Sequence, residues 1–292
     1  IGKQLARKAG TRKKIIWDID EIERILLLGN EEAKNNNKSL IDKDSIEEVI
    51  NQCSEIEKDY LEMYEEKKII LDIEDRIIGS VNGLSVIDFG YMSFGKPIRI
   101  TCTCYKGSGK IMDAQRESNL SGNIHNKSLN ILRGFLSSFF NSYEALPVDF
   151  QLSFEQLYGK IEGDSASVAE VIAMISSLSK IPVDQSIAVT GSLNQFGQVQ
   201  PIGGVNEKIE GFFNVCKKID TYIGKAVLIP ESNKDELILN SEIEEAVRKG
   251  EFKIYLMKDI NEALSTLLLN NTMSLEDIGN KIREEIKKFN DD

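Results

Sequence analysis

A serine among small residues, Gly163-Asp164-Ser165-Ala166-Ser167, stands directly ahead of an apolar stretch with helical spacing. Further along, Lys208 closes the segment Pro201-Ile202-Gly203-Gly204-Val205-Asn206-Glu207-Lys208, in a chain with one histidine. A serine on a tight turn and a lysine on a glycine-led helix are the parts of a Ser-Lys hydrolase: a hydroxyl nucleophile and an amine base able to shed its proton. Free lysine has a pKa of about 10.4, so a base useful near neutrality needs a depression of roughly two to three units by desolvation or nearby positive charge. Lys208 is therefore expected in an apolar, largely dry site. It would take the Ser165 proton as the hydroxyl attacks a peptide carbonyl and return it to the leaving amine, with an acyl-enzyme between. The backbone N–H groups of Gly163 and Ser165, in the turn ahead of the helix, are candidates for an oxyanion hole. Taken singly, neither residue is diagnostic, because such a serine is commonly an N-cap and such a lysine commonly solvates an outer helix face.

Competing chemistries fail on their companions. Lys106-Gly107-Ser108-Gly109-Lys110 has a phosphate-loop flavour, but Cys104 holds the leading glycine position and Ile111 replaces the metal-binding hydroxyl, so a strand-to-strand turn is expected. Ser177-Leu178-Ser179-Lys180 spells Ser-x-x-Lys at the end of an apolar helix, without Ser-Asp-Asn or Lys-Thr-Gly elements. His125, beside a helix start, reads as a surface or capping residue, and one histidine cannot build a His-Glu-x-x-His metal site.

The run from Glu162-Gly163-Asp164-Ser165-Ala166-Ser167 through Val189-Thr190-Gly191-Ser192 to Pro201–Lys208 resembles the proteolytic domain of the Lon family. Asn82-Gly83-Leu84-Ser85-Val86, Phe94-Gly95-Lys96-Pro97, Leu120 to Lys127 and Phe154-Glu155-Gln156 look like a Lon-related subgroup, and the resemblance covers roughly residues 67 to 270. It implies a catalytic dyad of Ser165 and Lys208, with Thr190 at the family's Thr-Gly position orienting the lysine amine. The common form has Gly-Pro-Ser-Ala-Gly; here Asp164 and Ser167 replace the proline and second glycine. Glu162 and Asp164 would keep Lys208 protonated if they faced it, which suits a regulated or substrate-assembled site; an exposed acidic turn is the plainer reading. The expected activity is a serine endopeptidase acting on unfolded or damaged proteins. The alternative is an inactive pseudoprotease serving as an assembly or substrate-binding module. A self-cleaving regulator or signal peptidase is disfavoured by the helix after Ser165 and the missing anchor.

A chain of 292 residues, 41% hydrophobic and 28% charged, can bury a full core and a second small module. A net charge of −11 argues against general affinity for nucleic acid or anionic membrane. The early basic run Lys3, Arg7, Lys8, Arg12, Lys13, Lys14 reads as a solvated helix face, since acids follow at Asp18, Asp20, Glu21 and Glu23. No apolar run is long enough to span a membrane and no export signal opens the sequence, so a cytoplasmic enzyme is expected. Cys53, Cys102, Cys104 and Cys216 are too few and irregular for a disulfide framework.

Periodicity predicts α+β architecture. Residues 1–66 read as helices only, with Asn35-Asn36-Asn37-Lys38-Ser39 breaking two of them and Ile56 to Glu66 a charged connector. Strands are expected at Ile69–Leu71, Arg76–Val81, Ser85–Ile87 and Ile98–Thr103, separated by Asn82-Gly83 and Gly95-Lys96-Pro97 turns. Helices are then expected over Ile124–Phe140, Ala166–Leu178 and Val205–Cys216, with a hairpin turn at Asn194–Gln198. Residues 67–270 form the protease unit and 271–292 a helical tail. The leader resembles the end of an AAA+ lid domain, as found before the protease in Lon-type chains. This implies that ATP and Mg serve only an upstream ATPase domain, that no cofactor belongs to this stretch, and that the working assembly is a homo-oligomeric hexameric ring acting on unfolded polypeptides.

Overall fold

The computed structural model describes residues 1–51, 54–90, 92–140, 146–269 and 273–291. Cys53 and parts of the expected C-terminal tail lie outside them. Four helices come first: α1 (Gly2–Lys8), α2 (Ile19–Asn35), α3 (Lys43–Asn51) and α4 (Glu55–Glu65). Asp18 caps α2 by accepting from the Glu21 N–H, and Ser54 caps α4 through Glu57 N–H. The asparagine run ends α2 where the sequence predicts, with Asn37 in the left-handed region at φ 54°.

After this leader come β1 (Arg76–Ile77), β2 (Ser80–Asp88), β3 (Ser93–Lys106), β4 (Ile111–Asp113), α5 (Ala114–Glu117), α6 (Asn123–Phe139) and β5 (Val148–Phe154). The second half holds α7 (Ser167–Ser179), β6 (Val183–Asp184), β7 (Ile187–Val189), β8 (Ser192–Leu193), β9 (Val199–Gln200) and α8 (Val205–Ile219). It ends with β10 (Lys225–Pro230), a 3₁₀ turn at Glu231–Glu236, α9 (Ser241–Lys249), β11 (Phe252–Met257), α10 (Ile260–Leu267) and α11 (Leu275–Asp291). Seven strands form one mixed sheet in the order β11-β10-β7-β2-β3-β5-β4. Its β10 alternates between two cores: Ala226 and Leu228 join the larger one, Val227 and Ile229 the other. The larger core packs α6, α7, α10 and α11 against one face, with Ile278 and Ile282 anchoring α11, while α8 and α9 cover the opposite face. The fold is α+β, as the periodicity predicts.

Three expectations fail near the start of the sheet. Ile69–Leu71 is not a strand; Ile69 instead closes a small cluster with Tyr64 and Val215. Arg76–Val81 is divided by Gly79, whose φ of +67° turns the chain between β1 and β2. Neither Asn82-Gly83 nor Gly95-Lys96-Pro97 is a turn: both lie inside paired strands, with Gly83 opposite Ile98 and Gly95 opposite Val86. The hairpin bends instead between Asp88 and Ser93. The glycines have a packing reason. A Cβ on Gly83 would lie 2.6 Å from Ile100 Cδ1, and one on Gly95 would overlap the Glu207 carbonyl of α8.

The leader is not merely solvated. Arg12 N–H donates to the Asp235 carbonyl at 2.9 Å, Lys3 pairs with Glu244 at 2.7 Å and Lys13 with Asp235. Arg7 is held by Glu207 and Glu210 of α8. The expectation of a solvated basic face holds for the exposed Lys3, Lys8, Arg12, Lys13 and Lys14 and is corrected for the half-buried Arg7; Lys3, Arg7 and Lys13 match acids on the protease unit, which local sequence windows do not bring together.

Candidate active site

The nucleophile and the base come from opposite faces of the sheet. Ser165 precedes α7 on one face and Lys208 lies in the first turn of α8 on the other. They meet beyond the end of the short strand β7, where Thr190 follows Val189. Gly191 N–H donates to the Ser165 carbonyl at 2.8 Å and Val168 N–H to the Gly191 carbonyl at 3.1 Å, so this strand end is laced to the start of α7.

α8 is placed by close backbone packing. Gly204 caps it at φ +67°, and Lys208 N–H donates to the Gly204 carbonyl at 3.0 Å. A Cβ on Gly211 would lie 2.6 Å from Gly95 Cα, so helix and strand touch backbone to backbone. Two buried asparagines fix the approach. Asn233 accepts from Ile202 N–H at 3.0 Å and donates to its carbonyl at 2.9 Å, while Asn206 donates to the Glu236 carbonyl and accepts from Ile238 N–H. Neither asparagine was singled out by sequence, because each bonds backbone some thirty residues away.

In this frame Lys208 Nζ lies 2.9 Å from Ser165 Oγ and 3.1 Å from Thr190 Oγ1. Thr190 is fully buried and its hydroxyl donates to the Ser165 carbonyl at 3.1 Å, leaving its oxygen to accept from the amine. Lys208 is 3% exposed. Burial brings its pKa down to about 8 against the opposing pull of Asp164 and Glu207. The N–H groups of Gly163 and Ser165 have no hydrogen-bond acceptor among the described residues.

The acidic turn divides into two roles. Asp164 is half-buried, accepting from Ser192 Oγ at 2.8 Å, so the reading of an exposed turn is corrected for it. Glu162 is exposed but not idle: its carboxylate accepts from Ile124 N–H at 3.1 Å at the start of α6, where a helix favours negative charge. Ser167 is buried, its Oγ 2.7 Å from Ser128 Oγ and donating to the Asp164 carbonyl of the turn that carries Ser165. This departure from the common pattern therefore braces the nucleophile turn from the interior.

His125 is a further correction. It is neither surface residue nor cap but 1% exposed, 3.0 Å from Asp113 and 3.7 Å from Glu170, with its ring edge-on to Phe154. Its partners come from β4 and α7, so the sequence around His125 gave no sign of them. The residue does not reach Ser165 by any hydrogen bond among the described residues. Burial disfavours the imidazolium, but the Asp113 hydrogen bond and the carboxylates outweigh it and raise the His125 pKa. Burial also pushes Glu170 from 4.5 to about 7, opposed by His125, and neither Glu170 oxygen has a hydrogen-bond partner among the described residues.

This cluster predicts a pH-dependent stability. Unfolded glutamate releases its proton near 4.5 while the native carboxyl holds it to about 7, so between these values the native state binds more protons and stability falls as pH rises. The fall amounts to about 3 kcal/mol and is complete above the native pKa. The raised His125 acts in the same sense, favouring the fold at low pH and losing that contribution as pH rises through its native pKa. Glu170→Gln should remove most of the loss between pH 5 and 8 in urea titrations. Parallel stability curves for the two proteins would contradict this assignment.

Relatives place this geometry. The family model of the Lon protease (S16) C-terminal proteolytic domain matches residues 55–270. A putative Lon protease homolog of Escherichia coli is 44% identical over 205 residues, 70% of this chain and 35% of its own length. The corresponding Haemophilus influenzae protein is 40% identical over 213 residues, 72% of this chain and 35% of its own. The archaeal Lon protease of Archaeoglobus fulgidus is 28% identical over 273 residues, 91% of this chain and 41% of its own. The chain thus spans well under half the length of these relatives. By the extent of the family match, with Ser165 and Lys208 both inside it, the chain belongs to the Lon protease (S16) C-terminal proteolytic domain family.

Proposed function

We propose that this chain is a serine endopeptidase that hydrolyses unfolded polypeptides through a Ser165-Lys208 dyad. The observation that carries the reading is a buried amine 2.9 Å from the Ser165 hydroxyl with its pKa brought down to about 8. Neutral Lys208 accepts the Ser165 proton while Thr190 Oγ1 accepts an amine N–H and fixes the lone-pair direction. Ser165 Oγ attacks the substrate carbonyl, and the free N–H groups of Gly163 and Ser165 are the donors available to the oxyanion. Collapse breaks the C–N bond, the ammonium of Lys208 protonates the leaving amine, and water then attacks the acyl-enzyme with Lys208 again as base.

Residues 1–66 are assigned to the end of an AAA+ lid domain and 67–270 to the protease unit, with a helical tail over 271–292. Matches to archaeal Lon proteases that run through the leader support the first assignment. ATP and Mg belong in this reading to an upstream domain of the whole protein. The Lys106–Lys110 turn does not fit a nucleotide: its Ser108 and Lys110 N–H groups already donate to the Asp149 carboxylate, which stands where a phosphate would bind. The working assembly is a homo-oligomeric ring, hexameric as in the family, and the site is cytoplasmic. Among the described residues no helix is long and apolar enough to cross a membrane, and Cys102, Cys104 and Cys216 are free.

Assayed in the absence of ATP, this chain should cut a reduced, carboxymethylated protein and leave the same protein intact when folded, as read by gel and mass spectrometry. Cleavage of both at equal rates would remove the restriction to unfolded chains. Cleavage of neither would count against an active peptidase in this chain.

A further inference from the structure

Arg7 stands on the protease side of the leader and is spent on α8. Its guanidinium reaches Glu207 Oε1 at 2.7 Å and Glu210 through both terminal nitrogens, each at 2.7 Å. Nε adds a contact to Glu207 at 3.2 Å. The side chains are 23%, 20% and 16% exposed for Arg7, Glu207 and Glu210, so solvent screens this cluster only in part. Glu210 also accepts from Asn240 N–H at 3.2 Å.

The cluster adjoins the base on the first turns of α8. Glu207 precedes Lys208, and with Asp164 it is one of the two carboxylates that favour the protonated amine. Other cations near this face have partners elsewhere. Lys8 is held by Asp18 and Glu21, and Lys3 by Glu244. Lys217 and Lys218, at the far end of α8, pair with Glu242 and Glu65. Lys96, beside Gly95 on β3, lies over the Tyr60 ring. Arg7 alone among these bonds Glu207 and Glu210.

We propose, on the Ser-Lys reading above, that Arg7 is a positioning residue for the dyad: by clamping Glu207 and Glu210 it neutralises the charge beside Lys208, so that docking of the leader sets the protonation of the base. Two geometric observations support the clamp itself. The fork is multidentate and half-buried, a geometry that arginine supplies and lysine does not. The connection also joins two elements two hundred residues apart in sequence, so it forms only when α1 is seated on α8. Displacement of α1 would leave both carboxylates on the lysine-bearing helix uncompensated, and Glu207, next to Lys208, would then favour its protonated form. The leader would thereby act on the peptidase without touching substrate.

The test is a titration of Lys208 in the full chain by NMR of ¹³C-labelled lysine, its signal identified by loss in Lys208→Met. The unaltered chain should titrate near 8. Arg7→Gln should raise the midpoint by about half a pH unit to one unit, and Arg7→Lys by less. Arg7→Gln combined with Glu207→Gln and Glu210→Gln should bring it back to the unaltered value or below. If Arg7→Gln fails to fold, Glu207→Gln with Glu210→Gln on the native Arg7 still decides, since removal of both carboxylates should lower the midpoint. A Lys208 midpoint near 8 that none of these substitutions moves would overturn the role of Arg7 while leaving the dyad intact. A midpoint near the ordinary lysine value in the unaltered chain would overturn the dyad reading and this inference together.

Discussion

Lys208→Ala will lower hydrolysis of an unfolded protein by about a thousandfold or more at pH 8, and Ser165→Ala will reduce it to background. Both losses follow from one contact. The Ser165 hydroxyl is a poor nucleophile unless a base within hydrogen-bond reach removes its proton, and Lys208 Nζ is that base at 2.9 Å. Removing the amine leaves the hydroxyl beside Thr190, whose oxygen is not basic enough to replace it. The double variant should be no slower than Ser165→Ala, because two groups that act in one step do not contribute additively. Initial rates on a fluorescently labelled, carboxymethylated protein measure all three. A Lys208→Ala chain retaining more than about a tenth of the native rate would assign the base elsewhere.

Gly95→Val is expected to be the most damaging single substitution outside the dyad, costing about 3 kcal/mol of stability and at least about a hundredfold in rate. A Cβ at this position would overlap the Glu207 carbonyl and lie 3.0 Å from Lys208 Cα. Those atoms are backbone, held in turn by Gly211 against Gly95, so relief requires α8 to lift from β3. The same movement carries Lys208 away from Ser165. Gly159→Ala is the control, since a Cβ there meets nothing within 4 Å, and it should change stability by less than about 0.5 kcal/mol. Chemical denaturation and peptidase rates on the two variants test this. A Gly95→Val chain as stable and active as the control would show that the close approach does not position the base.

Much of this arrangement is legible before any coordinates. The apolar run after Ser165, the glycine-led start of α8 and the hairpin at Asn194–Gln198 each follow local rules of spacing and turn chemistry, and the structure forms them close to the expected bounds. Asn82-Gly83 and Gly95-Lys96-Pro97 mislead for a definite reason. Their glycines answer to atoms far along the chain, Ile100 in one case and Glu207 in the other, so a demand of packing takes the form of a turn signal. Pro97 is tolerated inside β3, opposite Leu84, where its carbonyl accepts from Tyr64 Oη at 2.6 Å.

The buried cluster at His125 was hidden in the same way. Asp113, His125 and Glu170 lie on three separate elements, and nothing in the spacing of one histidine beside a helix start marks it as buried. Long-range charge pairing obscured the leader as well, because Arg7 finds Glu207 and Glu210 only through the docking of α1 on α8. Ser165 and Lys208, neither diagnostic singly, were legible together through the family resemblance of their flanks. Apart from Thr190 their supports were not, since buried asparagines and close-packed glycines are common residues whose meaning comes from what they touch.

The most direct measurement is the pH dependence of Ser165 acylation by an active-site-directed reagent, followed by intact mass from pH 6 to 10. The account predicts one label per chain on Ser165, a rate that rises through a midpoint near 8, and loss of labelling in Lys208→Ala. A midpoint near the ordinary lysine pKa, or labelling that persists at the native rate without Lys208, would contradict it.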